Sequence, residues 1–98
     1  MSNAKNRQLG TVTRLVPNRG FGFARGEVDH VAYFFHASEV DNFDALNARC
    51  VSRNYREQQD GSLVLGDVAR AALVTFAPAP PERAAKGPRA EALELIST

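Results

Sequence analysis

In Arg19-Gly20-Phe21-Gly22-Phe23-Ala24-Arg25, glycine and phenylalanine alternate one for one between two arginines. On a strand successive side chains point to opposite faces, so Phe21 and Phe23 share one side and Arg19 and Arg25 flank them on it. The opposite face is bare at Gly20 and Gly22. Phenylalanines turned inward would leave that bare face to solvent without purpose. Glycines turned inward let the backbones of a small, tightly coiled barrel approach each other, and the rings are then left outside. A phosphate-cradling loop is the other reading of recurrent glycines. The spacing Gly20-x-Gly22-x-x-x-Gly26 misses the dinucleotide fingerprint, and no helical pattern follows it.

Ten residues on, Tyr33-Phe34-Phe35-His36 repeats the alternation. Phe34 and His36 fall on one face and Tyr33 and Phe35 on the other, so one pair can enter the core while the other faces out. These two segments hold five of the eight Phe and Tyr in the chain. Flat rings in solvent beside guanidinium groups suit unpaired nucleic-acid bases, which stack on the rings while backbone phosphates meet the arginines.

The 98 residues are enough for one small domain with a single core. Net charge is near +1, so any attraction for a polyanion must come from local placement. The cations do cluster: Lys5, Arg7, Arg14, Arg19 and Arg25 precede the first acid, Glu27. The single cysteine, Cys50, excludes an intramolecular disulfide, and with two dispersed histidines it leaves no metal-ligand spacing. Cys50 reads as a half-buried structural thiol. No metal and no cofactor is expected. No stretch is long and apolar enough for a membrane span and no signal peptide is evident, which gives a cytoplasmic reading. Met1-Ser2-Asn3-Ala4 reads as a cloning scar, and residues 1–8 as a flexible leader to a domain over 9–96.

Closely spaced turn signals predict short strands. Gly10 to Val16 is rich in β-formers and ends at Pro17-Asn18; Arg19 to Arg25 and Val31 to His36 follow. Asp41 to Leu46 suggests a loop with one helical turn, Phe43 and Leu46 plugging a barrel end. Val51 to Glu57 and Ser62 to Leu65 read as a hairpin about Gln58-Gln59-Asp60-Gly61, since Asp-Gly between β-rich runs is a strong turn signal. Leu73 to Phe76 favours a strand. Pro78, Pro80 and Pro81 impose an irregular loop, and Arg89 to Ile96 closes as the last strand. The alternative register makes Val51 to Tyr55 and Ser62 to Val68 the fourth and fifth strands, leaving the C-terminal third as an extension.

Gly10-Thr11-Val12, Arg19-Gly20-Phe21-Gly22-Phe23, Phe34-Phe35-His36-Ala37-Ser38 and Lys86-Gly87-Pro88-Arg89-Ala90, in that order, resemble the bacterial cold-shock domain over roughly residues 9 to 96. The two inner segments resemble its two ribonucleoprotein motifs. An RNA-recognition motif also carries Arg-Gly-Phe-Gly-Phe, but its companion motif lies upstream and it requires two amphipathic helices, which this sequence lacks. The resemblance implies an all-β fold, a five-stranded antiparallel Greek-key barrel of the OB type, here with an extra hairpin between strands 3 and 4. It implies single-stranded RNA or DNA as partner, and action as an RNA chaperone or gene-expression regulator. Arg19, Phe21, Phe23, Phe34 and His36 carry over by position; Arg14 and Arg25 complete the expected site from their neighbourhood.

Two departures bear on that expectation. Where the family has Lys-Trp-Phe this chain has Thr13-Arg14-Leu15, so two rings of the platform are missing and Arg14 stands where a ring would. The segment 47–68 is also an insertion. A competing reading is a protein-interaction module or strand-exchanged dimer with weakened nucleic-acid binding. An enzyme is not expected: no Ser, Cys or carboxylate near His36 in sequence forms a catalytic set. Arg83, Lys86 and Arg89 are either a solvated loop or a second set of phosphate contacts.

Overall fold

A long first strand organises the molecule, which we describe from a computed structural model covering residues 7–67 and 69–96. β1 (Gln8–Val16) pairs from Gly10 to Val16 with β2 (Phe21–Gly26). On its other edge it is shared: Gln8 to Val12 pair with β6 (Ala72–Pro78), and Arg14 and Leu15 pair with β5 (Leu63–Val64). The register shifts between Val12 and Arg14, a bulge that bends the strand and turns its second half toward a different partner. β2 continues to β3 (Ala32–His36), β5 to β4 (Arg56–Glu57), and β6 to β7 (Ala90–Leu95), all antiparallel.

Seven strands thus form one sheet where five in a closed barrel were expected. β4 and β5 are the inserted hairpin, two residues each, and β6 and β7 are the last two long strands, which is the preferred of the two registers. The sheet is open: β7 comes back beside β3 only through the isolated parallel bridge Phe34–Arg89, with the Phe34 amide donating to Pro88 O at 3.1 Å. Residues 1–6 of the expected leader, with Lys5 among them, lie outside the described residues. Of the remaining two, Gln8 opens β1, and the Arg7 guanidinium donates to Thr75 Oγ1 at 2.9 Å and Ala92 O at 2.8 Å.

The expected single helical turn is instead a ten-residue helix, α1 (Phe43–Ser52), which absorbs Val51 and Ser52 from the predicted strand. Asn42 caps it, its Oδ1 accepting from the Ala45 amide at 3.0 Å. Leu46 and Cys50, one helical turn apart, are fully buried and hold the helix against the sheet. The chain leaves it through Asn54 at φ 67°, the left-handed position that ends helices and that asparagine tolerates. Cys50 is therefore not half-buried but wholly inside, and burial pushes its thiol up to about 12, outweighing the neighbouring Arg49.

The core lies on the inner face of the sheet under α1: Val12, Leu15, Phe35, Leu46, Val74, Phe76 and Leu93 have no exposed surface. Tyr55, the first residue beyond the helix turn, drives its ring into this core. Its hydroxyl donates to Val12 O and accepts from the Ala72 amide at 2.9 Å, joining β1 to β6 at Val12 and Ala72, the last pair of their ladder. None of the helices among the described residues is long and apolar enough to cross a membrane.

Candidate nucleic-acid interface

Two of the glycines explain why the rings face out. A Cβ on Gly22 would lie 2.6 Å from Phe35 Cζ and 2.7 Å from Arg14 O, so the inner face of β2 must be bare there for Phe35 to fill the core. Gly10 is alike, with Phe76 Cε1 at 2.6 Å. Gly20 has a different role from the one expected: it lies in the turn before β2 at φ 72°, with only Ala37 near its absent Cβ.

Because Gly22 and Ala24 face inward, Phe21, Phe23 and Arg25 face outward, and the register sets Phe34 beside Phe23 and His36 beside Phe21. The three phenylalanine rings form one cluster, with centroids 6.1 Å (Phe21–Phe23), 5.6 Å (Phe21–Phe34) and 5.8 Å (Phe23–Phe34) apart. All three are half-buried, their edges packed on each other and their remaining surface open. Tyr33 and Phe35, the alternate pair, are in the core as the alternation predicts.

His36 is exposed beside this cluster with its Nδ1 accepting from the Ser38 amide at 3.1 Å and in contact with Ser38 Oγ at 3.0 Å. The amide can only donate, so Nδ1 is the accepting end of this bond and Nε2 is the end left for solvent or ligand. The same bond caps the short 3-10 turn Ala37–Glu39 and fixes the ring's direction.

Arginines surround the rings. Arg25 projects from β2 on the same face. Arg19 belongs to the turn that precedes β2 and not to the strand, so its place beside Phe21 comes from the turn and not from strand alternation. There it lines a recess of about 320 Å³ with Arg14, Val16, Asn18, Phe21 and Asp60. Arg14 pairs in register with Phe23 across β1 and β2. Its guanidinium is engaged by Asp60 Oδ2 at 3.4 Å, both groups being about half exposed. Asp60 is held ionised below the usual carboxylate range, chiefly by the hydroxyl and amide of Ser62 at 2.7 and 2.9 Å and only then by Arg14.

One residue of the interface stood outside the expected set. Arg89 places its Cζ 5.6 Å from the Phe34 ring centroid, a cation–π contact carried by the Phe34–Arg89 bridge. Of the three C-terminal cations left open by sequence, Arg89 thus joins the rings. Arg83 instead makes a two-point ion pair with Glu91, at 2.6 and 2.9 Å. Among the described residues Arg19, Arg25 and Arg89 make no ion pair, so three charges beside the rings are uncommitted. The turn Lys86-Gly87-Pro88 that precedes Arg89 signals a strand entry; its pairing with β3 is non-local and has no sequence signature.

No family model and no curated protein sequence matches this chain. In structure it is similar to the cold-shock-domain segment CSD456 of Drosophila Unr, with a TM-score of 0.53 and 19% identity over 93% of this chain and 27% of the other. The chain spans about a quarter of that structure's length. The fold is that of a cold-shock, OB-like β-domain in general.

Proposed function

We propose that this domain binds single-stranded nucleic acid, RNA or DNA, on the face formed by Phe21, Phe23, Phe34 and His36. The observation that carries the reading is the cluster of three half-open rings no more than 6.1 Å apart, bordered by the unpaired Arg19, Arg25 and Arg89. Unpaired bases stack on such rings with little regard to sequence, and each is worth roughly 1–3 kcal/mol. A duplex keeps its bases inside and offers the rings nothing, so binding opposes pairing. This is the chemistry of an RNA chaperone or gene-expression regulator of the kind the bacterial cold-shock resemblance implies. The likeness to Drosophila Unr CSD456 supports the reading at the level of fold.

We assign binding and no catalytic step to the site. His36 is turned by Ser38 into a ring-presenting cap, and no nucleophile stands beside its free Nε2 among the hydrogen bonds of the described residues. The competing interaction-module reading predicts an inert ring face. Anisotropy titration of labelled oligothymidine and oligouridine against the same sequences in duplex decides between them: single strands bound in preference to duplex support the proposal, and absence of single-strand binding at low salt refutes it.

A further inference from the structure

The inserted hairpin does not hang away from the ring face but continues it. In directly opposed antiparallel pairs both side chains lie on the same side of the sheet, with Cβ atoms about 4.5–5.5 Å apart. Phe34 opposes Phe23, Phe23 opposes Arg14, Arg14 opposes Val64, and Val64 opposes Arg56. The Phe34–Arg89 bridge adds the other end. One outward row therefore runs Arg89, Phe34, Phe23, Arg14, Val64, Arg56, from the bridge residue across five strands, the last two positions supplied by the hairpin. At about 4.7–4.9 Å per strand step it is roughly 24 Å long, measured along the sheet.

Arg56, at the far end, is exposed and makes no ion pair among the described residues. Its stem lies over Gly66: a Cβ there would be 2.8 Å from Arg56 Cδ and 3.3 Å from Cγ. Gly66 has no positive φ that would demand glycine, so what its missing side chain provides is room for the arginine. The neighbouring Glu57 is the next residue on the strand and points to the other side. Cations thus stand at both ends and in the middle of an otherwise apolar row, the pattern of a track for a polyanion with bases lying between phosphate contacts.

We infer that the β4–β5 hairpin lengthens the single-strand track beyond the rings, with Val64 as an apolar contact for a further nucleotide and Arg56 as its phosphate anchor. This rests on the ring face binding single strands. Its test uses the full chain and labelled oligothymidines of four and nine nucleotides, the shorter spanning the rings only.

Arg56→Gln keeps the stem over Gly66 and removes the charge. It should weaken the nine-mer about three- to tenfold, leave the four-mer within twofold, and reduce the salt slope for the nine-mer by about 0.7. Arg56→Lys should restore most of the loss. Gly66→Ala, which crowds the stem without touching the charge, should lie between wild type and Arg56→Gln. Wild-type binding of both oligonucleotides with Arg56→Gln unchanged, or weakened equally for both lengths, overturns the inference and leaves the ring face standing. Wild type binding neither oligonucleotide overturns both.

Discussion

Arg14 on β1 and Asp60 in the β4–β5 turn, 46 residues apart in sequence, meet at 3.4 Å beside the Phe23 ring. The β4–β5 turn thereby places an anion on the cation that opposes Phe23 across β1 and β2. A phosphate approaching Arg14 has to displace that carboxylate.

Removing the charge of Asp60 should therefore strengthen binding. Asp60→Asn keeps an oxygen for the Ser62 amide and hydroxyl but frees Arg14, and single-strand affinity should rise by about two- to fivefold at low salt, the modest range expected of an exposed pair. The salt slope should steepen by about 0.7 as one more phosphate is neutralised. An unchanged slope in an anisotropy series from 50 to 200 mM salt would show that Arg14 does not reach the backbone.

Phe34 and Phe35 are adjacent and should fail in opposite ways. Phe34→Ala should cost about 1–3 kcal/mol of single-strand affinity and little stability, since its ring is half open. Phe35→Ala empties a fully buried position and should cost about 3–5 kcal/mol of stability. Denaturant unfolding beside oligonucleotide titration separates the two; a large stability loss in Phe34→Ala would mean the outer rings are structural.

The two C-terminal arginines should also separate. Arg89→Ala removes the cation over Phe34 and should lower the salt slope by about 0.7, whereas Arg83→Ala releases only Glu91 and should leave the slope unchanged. Equal effects would assign the whole loop to the ligand.

Alkaline pH should destabilise the fold through Tyr55 and Cys50. Burial raises both, from 10 for the tyrosine and 9 for the thiol to about 12 in the folded protein. A folded pKa above the unfolded one means the neutral form is favoured by folding, so this stability is complete below about 9 and is lost between about 9 and 12. Unfolding midpoints measured from pH 8 to 11 should fall. Tyr55→Phe should lower the midpoint at pH 8, because the Ala72 amide loses its acceptor, and should flatten the decline above pH 10. A midpoint as steep as wild type in that range would remove Tyr55 from the account.

The parts legible in the sequence are those written at short range. Alternation sorted Phe21, Phe23, Phe34 and His36 from Tyr33 and Phe35 because the strand period is two and Gly22 admits no other packing against Phe35. Asp60-Gly61 marked the hairpin turn, and Gly61 does lie at φ 87°. The helix was under-read because Phe43, Leu46 and Cys50 give only a thin apolar stripe and Val51 favours strands; Asn42 as cap and Asn54 as stop were the signals available. The β1 bulge, the Tyr55 hydroxyl between β1 and β6, and the pairing of Arg89 with Phe34 join segments that are far apart in the chain, and only the assembled sheet shows them.

The central claim is that one face of this sheet takes a single strand, and amide chemical-shift mapping with unlabelled nine-nucleotide oligothymidine tests it most directly. Saturable shifts should concentrate on Phe21, Phe23, Phe34, His36 and Arg89 and extend to Val64 and Arg56, while α1 and the acidic groove lined by Glu39, Asp41 and Glu94 stay still. Shifts confined to α1 or that groove, or no shift on the ring-bearing strands at low salt, would contradict it.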